Sequence, residues 1–292
     1  MPNIGCIALG TAQFGFSYGI ANQKGQVTVE EASQILKYAA SAGIDTLDTA
    51  IAYGNSEECL GNIGIKDWRV ISKIPEFPLE TRDVQGWVRS SVHGSLQRLK
   101  IPQLHGLLLH RPQQLLEPQG VELYDALNLI KTEGLVKKIG ISVYSPEELT
   151  LLFRHFSFDL VQAPFNILDQ SLEQSGWLEH LSSLGVEIHV RSIFLQGLLL
   201  MQAEQRPAYF QHWQNLWTAW EQWLLLTQLT PLQACLGFVL NRPNINRVVV
   251  GVDSLEQLQE ILAAARVESV ELPGELCCND TNLINPAQWR LT

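Results

Sequence analysis

Short apolar runs alternate with longer amphipathic ones along the whole chain. The runs at 4–9, 44–48, 69–73, 105–109, 136–141, 159–162, 186–190 and 247–250 have the length and density of strands covered on both faces. Between them, 28–41, 56–63, 83–99, 120–133, 146–156 and 172–183 carry helical spacing. Thr28 and Ser145-Pro146 are N-cap signals, and Glu31, three residues after Thr28, completes a capping box. Two helical stretches, 209–227 and 231–241, follow the seventh run, and 255–265 follows the eighth. Eight strands, each followed by a helix, predict an α/β architecture, a (β/α)8 TIM barrel. With no low-complexity linker or internal repeat, one domain is expected over 1–292. In it, 209–227 is a helical insertion after strand 7 and 273–292 is a C-terminal tail.

In such a barrel the strand C-termini form the active face, whatever the chemistry. Those ends read Gly10-Thr11, Asp48, Lys73, His110, Ser142, Gln162, Arg191-Ser192 and Gly251. At any single position, a polar residue simply marks the end of a strand. Four ionisable or phenolic groups stand out together: Asp48, Tyr53 in the small-residue loop that follows it, Lys73 and His110. Each has a bland alternative. Tyr53 could be a loop anchor, Lys73 could snorkel to solvent, His110 could cap the loop at Arg111-Pro112, and an Asp48–Lys73 pair could be a structural salt bridge.

The order Asp48, Tyr53, Lys73, His110, with the wording DTAxxYGxSE from Asp48 and LLLHRP from Leu107, resembles the catalytic tetrad of the aldo/keto reductases. The likeness covers nearly the whole chain. It implies reduction of an aldehyde or ketone to an alcohol by hydride transfer from NAD(P)H, with Tyr53 as general acid. Lys73 would place an ammonium beside Tyr53. At about 4 Å and an effective dielectric of ~20, such a charge favours a phenolate by roughly 4 kcal/mol before desolvation opposes it. Asp48 would hold Lys73, and His110 would orient the substrate carbonyl.

The same resemblance implies a cofactor site. Ser142 and Gln162 fall where the family holds the nicotinamide amide, beside Gly10, Thr11, Asp48 and Ser192. Val143 replaces the family's Asn, and Arg191 stands where a stacking Tyr is common; a guanidinium plane can stack too. The run Leu195-Gln196-Gly197-Leu198 resembles the backbone cradle for phosphates. Gly251, Asp253, Ser254, Gln257 and Glu260 match the adenosine-binding segment, where a helix start with free N–H groups suits an anion. NADPH is the family default. Gln257 replaces the Arg aimed at the 2′-phosphate and Asp253 adds negative charge, which weakens the case for NADPH over NADH. No G-x-G-x-x-G opens a helix after a strand, so a Rossmann site is not expected. Two rivals remain at this level: a cofactor-binding regulatory protein with little turnover, and a lyase using Lys73 as a Schiff-base nucleophile.

Composition narrows the partners. A formal net charge of −10 disfavours nucleic acid and anionic membranes. Five cysteines without metal or redox spacing suggest buried thiols in a reducing compartment. The start carries no basic, apolar leader, and no apolar run nears the roughly 20 residues of a membrane span. A cytoplasmic protein is expected, a monomer or weak homo-oligomer acting on a small carbonyl substrate. His105 and His110 lack ligand spacing, so no metal is expected. The first loop, Gly10 to Gly25, carries Phe14, Phe16 and Tyr18 as pocket-lining candidates. Phe210, Trp213, Trp217, Trp220 and Leu224, spaced 3, 4, 3, 4, form one helical stripe. It reads as a core face or as a substrate or subunit contact, with Trp223 off the stripe and exposed. Trp289 is placed over the pocket mouth.

Overall fold

Eight parallel strands close on themselves in chain order in the computed structural model, which describes residues 4–78, 80–268 and 271–291. They are β1 (Ile7–Gly10), β2 (Thr46–Asp48), β3 (Arg69–Ile74), β4 (Leu104–Leu109), β5 (Val136–Ser142), β6 (Leu160–Pro164), β7 (Glu187–Arg191) and β8 (Arg247–Gly251). β1 closes the ring against β8, with Gly10 opposite Gly251, and lies against β2 with Gly10 opposite Asp48. The result is a single-domain (β/α)8 barrel. Its main core lies between the sheet and the surrounding helices. A separate apolar layer of Ile71, Leu108 and Leu160 fills the barrel interior. A β-carbon at Gly106 on β4 would sit 2.8 Å from Leu160 on β6 and 2.9 Å from Ile71 on β3. Side chains of β3 and β6 meet in front of β4 only inside a barrel, and glycine gives them the room.

The helices depart from their expected bounds where local chemistry intervenes. The run 4–9 opens with a 3-10 turn, Ile4–Cys6, so the strand starts at Ile7. The stretch 172–183 splits into Ser171–Gln174 and Trp177–Ser183, because Gly176 at φ +79° turns the chain left-handed. The stretch 146–156 is helical only over Pro146–Leu152, and Ser145 makes no side-chain cap bond. Thr28 does cap the helix Val29–Ser41, its Oγ1 accepting from Glu31 N at 3.2 Å. The Glu31 carboxylate does not complete the expected box. It accepts instead from Leu255 N at 2.7 Å, at the start of the helix Leu255–Ala264. A reciprocal capping box forms elsewhere, at Thr230 and Gln233 before Pro231–Leu240.

The stretch 209–227 opens as a 3-10 helix, Ala208–Trp213, and continues as the α-helix Gln214–Thr227. Phe210, Trp217 and Trp220 are buried, so the stripe is a core face. Trp223 is buried as well, stacked on Trp220 with ring centres 5.7 Å apart. The tail explains part of this shielding. Trp213 Nε1 donates to Asp280 at 3.1 Å, Tyr209 OH to Asn282 O at 3.0 Å, and Trp289 packs edge-on to Phe210 at 4.9 Å. Trp289 therefore sits on this segment, not over the pocket; residue 292 of the tail lies outside the described residues. Among the described residues, no single helix is long and apolar enough to cross a membrane.

Candidate active site

Adjacent strands bring the first two tetrad members together. Lys73 Nζ donates to Asp48 Oδ1 at 2.6 Å and to Thr49 O at 3.0 Å, and both side chains are almost fully buried. Asp48 Oδ2 accepts from Gln162 Nε2 at 2.7 Å, so the carboxylate is held from β3 and from β6. The ammonium lies 5.0 Å from the Tyr53 ring centre. Tyr53 meets His110 edge-on, ring centres 6.1 Å apart and planes at 79°. Burial disfavours the Lys73 ammonium, but the Asp48 carboxylate and the Tyr53 phenol outweigh it and leave Lys73 above the ordinary lysine value. His110 goes the other way. Burial first, then the Lys73 and Arg191 charges, push it down to about 4 against the opposing pull of Asp48, so it is neutral at physiological pH.

Tyr53 is not on a strand, and its loop is fixed by close backbone contacts. A β-carbon on Gly15 would lie 1.8 Å from Tyr53 O, and one on Gly54 (φ +52°) 2.4 Å from Gly15 O. The two glycines let the first loop and the Tyr53 loop lie directly on one another. Hydroxyls tie the same region to the strand ends: Ser56 Oγ donates to Thr11 O at 2.8 Å and pairs with Thr49 Oγ1 at 3.1 Å. Glu57 adds a buried anchor. Its carboxylate accepts from Ser72, next to Lys73, at 2.7 Å, from Ser95 at 2.6 Å and from Arg98 Nε at 2.8 Å.

A cavity of about 570 Å³ opens over the tetrad, and all four of its side chains line it. Gly10, Thr11, Ser142 and Gln162 line the same end, and Arg191, Ser192 and Gly197 border it from the β7 side. Gly251, Asp253, Gln257 and Glu260 line its extension toward the helix Leu255–Ala264. Two expected contacts lie elsewhere. Leu195 is fully buried, and Ser254 turns its Oγ to Gln257 N as a helix cap. Tyr144, which no periodic signal marks, also lines the cavity. The Arg191 guanidinium stacks on its ring at 4.4 Å and donates to Val143 O at 3.0 Å. Gln162 Oε1 is buried and, among the described residues, has no hydrogen-bond partner. An unpaired buried acceptor calls for a donor, and a carboxamide NH2 fits it.

A model of the Aldo/keto reductase family matches residues 6–271. The chain belongs to this family. It is an NAD(P)H-dependent oxidoreductase that reduces carbonyl groups. Among curated relatives, a D-threo-aldose 1-dehydrogenase from Pseudomonas sp is 26% identical, the match covering 92% of this chain and 93% of that one. An NADH-specific methylglyoxal reductase from Escherichia coli (strain K12) is 25% identical over 77% of this chain and 79% of its own. The solved aldo-keto reductase AKR11C1 from Bacillus halodurans, in its holo form, shares the fold at a TM-score of 0.73 and 19% identity, covering 91% of this chain and 88% of that one.

In this aldo/keto reductase the first loop crosses the cavity. Phe16 and Tyr18 line it, whereas Phe14 is wholly buried in the core. Tyr18 OH lies 3.4 Å from Gln196 Nε2, and Asn22 Nδ2 donates to Asp253 Oδ1 at 3.1 Å. The loop thus meets the segments after both β7 and β8. The N–H groups at the start of the helix Leu255–Ala264, expected to be free, are largely taken. Asp253 N donates to Gln257 Oε1 at 2.7 Å, Leu255 N to Glu31, and Gln257 N to Ser254 Oγ at 3.4 Å.

Proposed function

We propose that this reductase converts a small aldehyde or ketone to the alcohol, with Tyr53 delivering the proton to the carbonyl oxygen. The buried Lys73–Asp48 pair beside Tyr53 carries the reading. The nicotinamide cofactor supplies the hydride. Lys73, held as an ammonium by Asp48, stabilises the phenolate that Tyr53 becomes on giving up its proton. His110, being neutral, donates one N–H to the substrate oxygen and fixes it near Tyr53 without adding a second positive charge. Gln162 Oε1 and the neighbouring Ser142 hydroxyl, opposite each other in the β5–β6 register, would hold the nicotinamide carboxamide. NADPH is the family's usual donor and NADH the alternative. Aldoses and methylglyoxal, the substrates in the relatives' names, head the panel to test.

A Schiff-base lyase needs Lys73 as a neutral amine, and its buried carboxylate partner works against that form. The deciding experiment follows cofactor oxidation with the carbonyl panel in the parent protein and in Tyr53→Phe. Turnover in the variant should fall by about 10²–10⁴-fold while cofactor binding stays unchanged. Retained turnover would remove Tyr53 from the proton step.

A further inference from the structure

We propose that this site selects NADH over NADPH, because the part of the cavity remote from the tetrad is built from carboxylates where a 2′-phosphate would need cations. The inference rests on the reductase reading, which places the nicotinamide at the tetrad. The rest of a dinucleotide then follows the cavity past Gly251 toward Asp253, Gln257 and Glu260.

Among the described residues, the lysine and arginine that line the cavity are Lys73 and Arg191, and both act on His110 at the tetrad end. The remote end carries Asp253 and Glu260. Lys24 approaches from the first loop, but it is mostly exposed and lies 4.0 Å from Glu256. A phosphate monoester brings about −1.5 to −2 charges at neutral pH and needs donors or cations to meet them. The start of the helix Leu255–Ala264 is the nearest natural source of such donors. That source is already engaged by a resident anion: Glu31, from the helix Val29–Ser41, accepts from Leu255 N at 2.7 Å. Gln257 and Ser254 occupy the neighbouring N–H groups. A free ribose 2′-hydroxyl has opposite requirements. It is neutral and donates a proton, which a carboxylate such as Asp253 accepts. An acidic residue reads the 2′-hydroxyl of NAD by the same logic in dinucleotide-binding folds of unrelated topology.

Asp253 is also tied into the roof of the site. Its Oδ1 accepts from Asn22 Nδ2 at 3.1 Å, so the carboxylate is held in place before any nucleotide arrives. Burial raises its pKa, with the Gln257 hydrogen bond and the Lys24 charge opposing. A partly buried carboxylate is screened less by salt than an exposed one, so its effect on a second anion persists at physiological ionic strength.

The test is a titration of the full chain with NADH and with NADPH, followed by tryptophan fluorescence, with ADP and 2′,5′-ADP as competing fragments. NADH is expected to bind at least about tenfold more tightly than NADPH, and ADP more tightly than 2′,5′-ADP. In the double variant Asp253→Asn/Glu260→Gln, with folding checked by thermal melting, NADPH affinity should rise about tenfold, while NADH affinity should fall as the 2′-hydroxyl loses its carboxylate acceptor. Equal or tighter binding of NADPH by the parent protein overturns the inference, as does an equal change for both nucleotides in the variant. If the folded protein binds neither nucleotide, the reductase reading itself falls and takes the inference with it.

Discussion

The side chain of His110 is half-buried, and its protonation is set first by that burial and then by the Lys73 ammonium and the Arg191 guanidinium. Held at about 4, it neither gains nor loses a proton between pH 5 and 8, so kcat/KM should show no limb near 6.5. Stability should respond in a definite direction. An unfolded histidine binds a proton below about 6.5, whereas folded His110 does so only near 4. Between those values the unfolded chain holds more protons, so stability falls as the pH drops through that window. His189, lowered by burial against the pull of Glu187, contributes with the same sign. Melting temperatures from pH 8 to 4.5 should decline, and His110→Gln should flatten part of the slope; a rise on acidification would refute this. Asp48, Lys73 and His110 were legible in the sequence because strand ends deliver side chains to one known face. Glu31 and Tyr144 were not. Glu31 reaches a helix start 224 positions away, and Tyr144 sits just beyond β5, where the period of two no longer applies.

At the level of elements, Tyr53 depends on packing between two loops more than on any strand. Gly15 is the contact to change. Its missing β-carbon is all that separates it from Tyr53 O, and both are backbone, so neither can swing aside. Gly15→Ala should destabilise by about 1–3 kcal/mol and, through displacement of Tyr53, lower kcat by up to about 10²-fold. Melting and turnover of the one variant check both halves, and unchanged turnover would mean that the loop contact does not position Tyr53. Element boundaries differ from the periodic pattern for physical reasons. Helical periodicity marks which residues face the core but not where i→i+4 bonding begins, hence the 3-10 opening at Ala208–Trp213. A single stripe implies a single covered face. The helix Gln214–Thr227 buries Trp223 besides its main stripe, with Trp223 lying on Trp220.

For the whole molecule, the barrel was readable because parallel strands covered on both sides give unbroken apolar runs, eight times over. The tail was not, since 273–292 has no period to read. A ligand that binds only the folded barrel must stabilise all of it: a nicotinamide cofactor at 100 times its dissociation constant should add about 2.7 kcal/mol. A melting temperature that does not move with concentration would count against binding in the cavity. The closure of β1 on β8 reaches further, into biosynthesis. Gly10 and Gly251 face each other across the seam, so the site joins the first strand made to the last. A growing chain holds Asp48, Tyr53, Lys73 and His110 once His110 has left the ribosome, but the cavity over them is not walled in until the eighth strand follows. Until then the flanks of β1 and of the newest strand are unpaired edges, open to pairing with other chains.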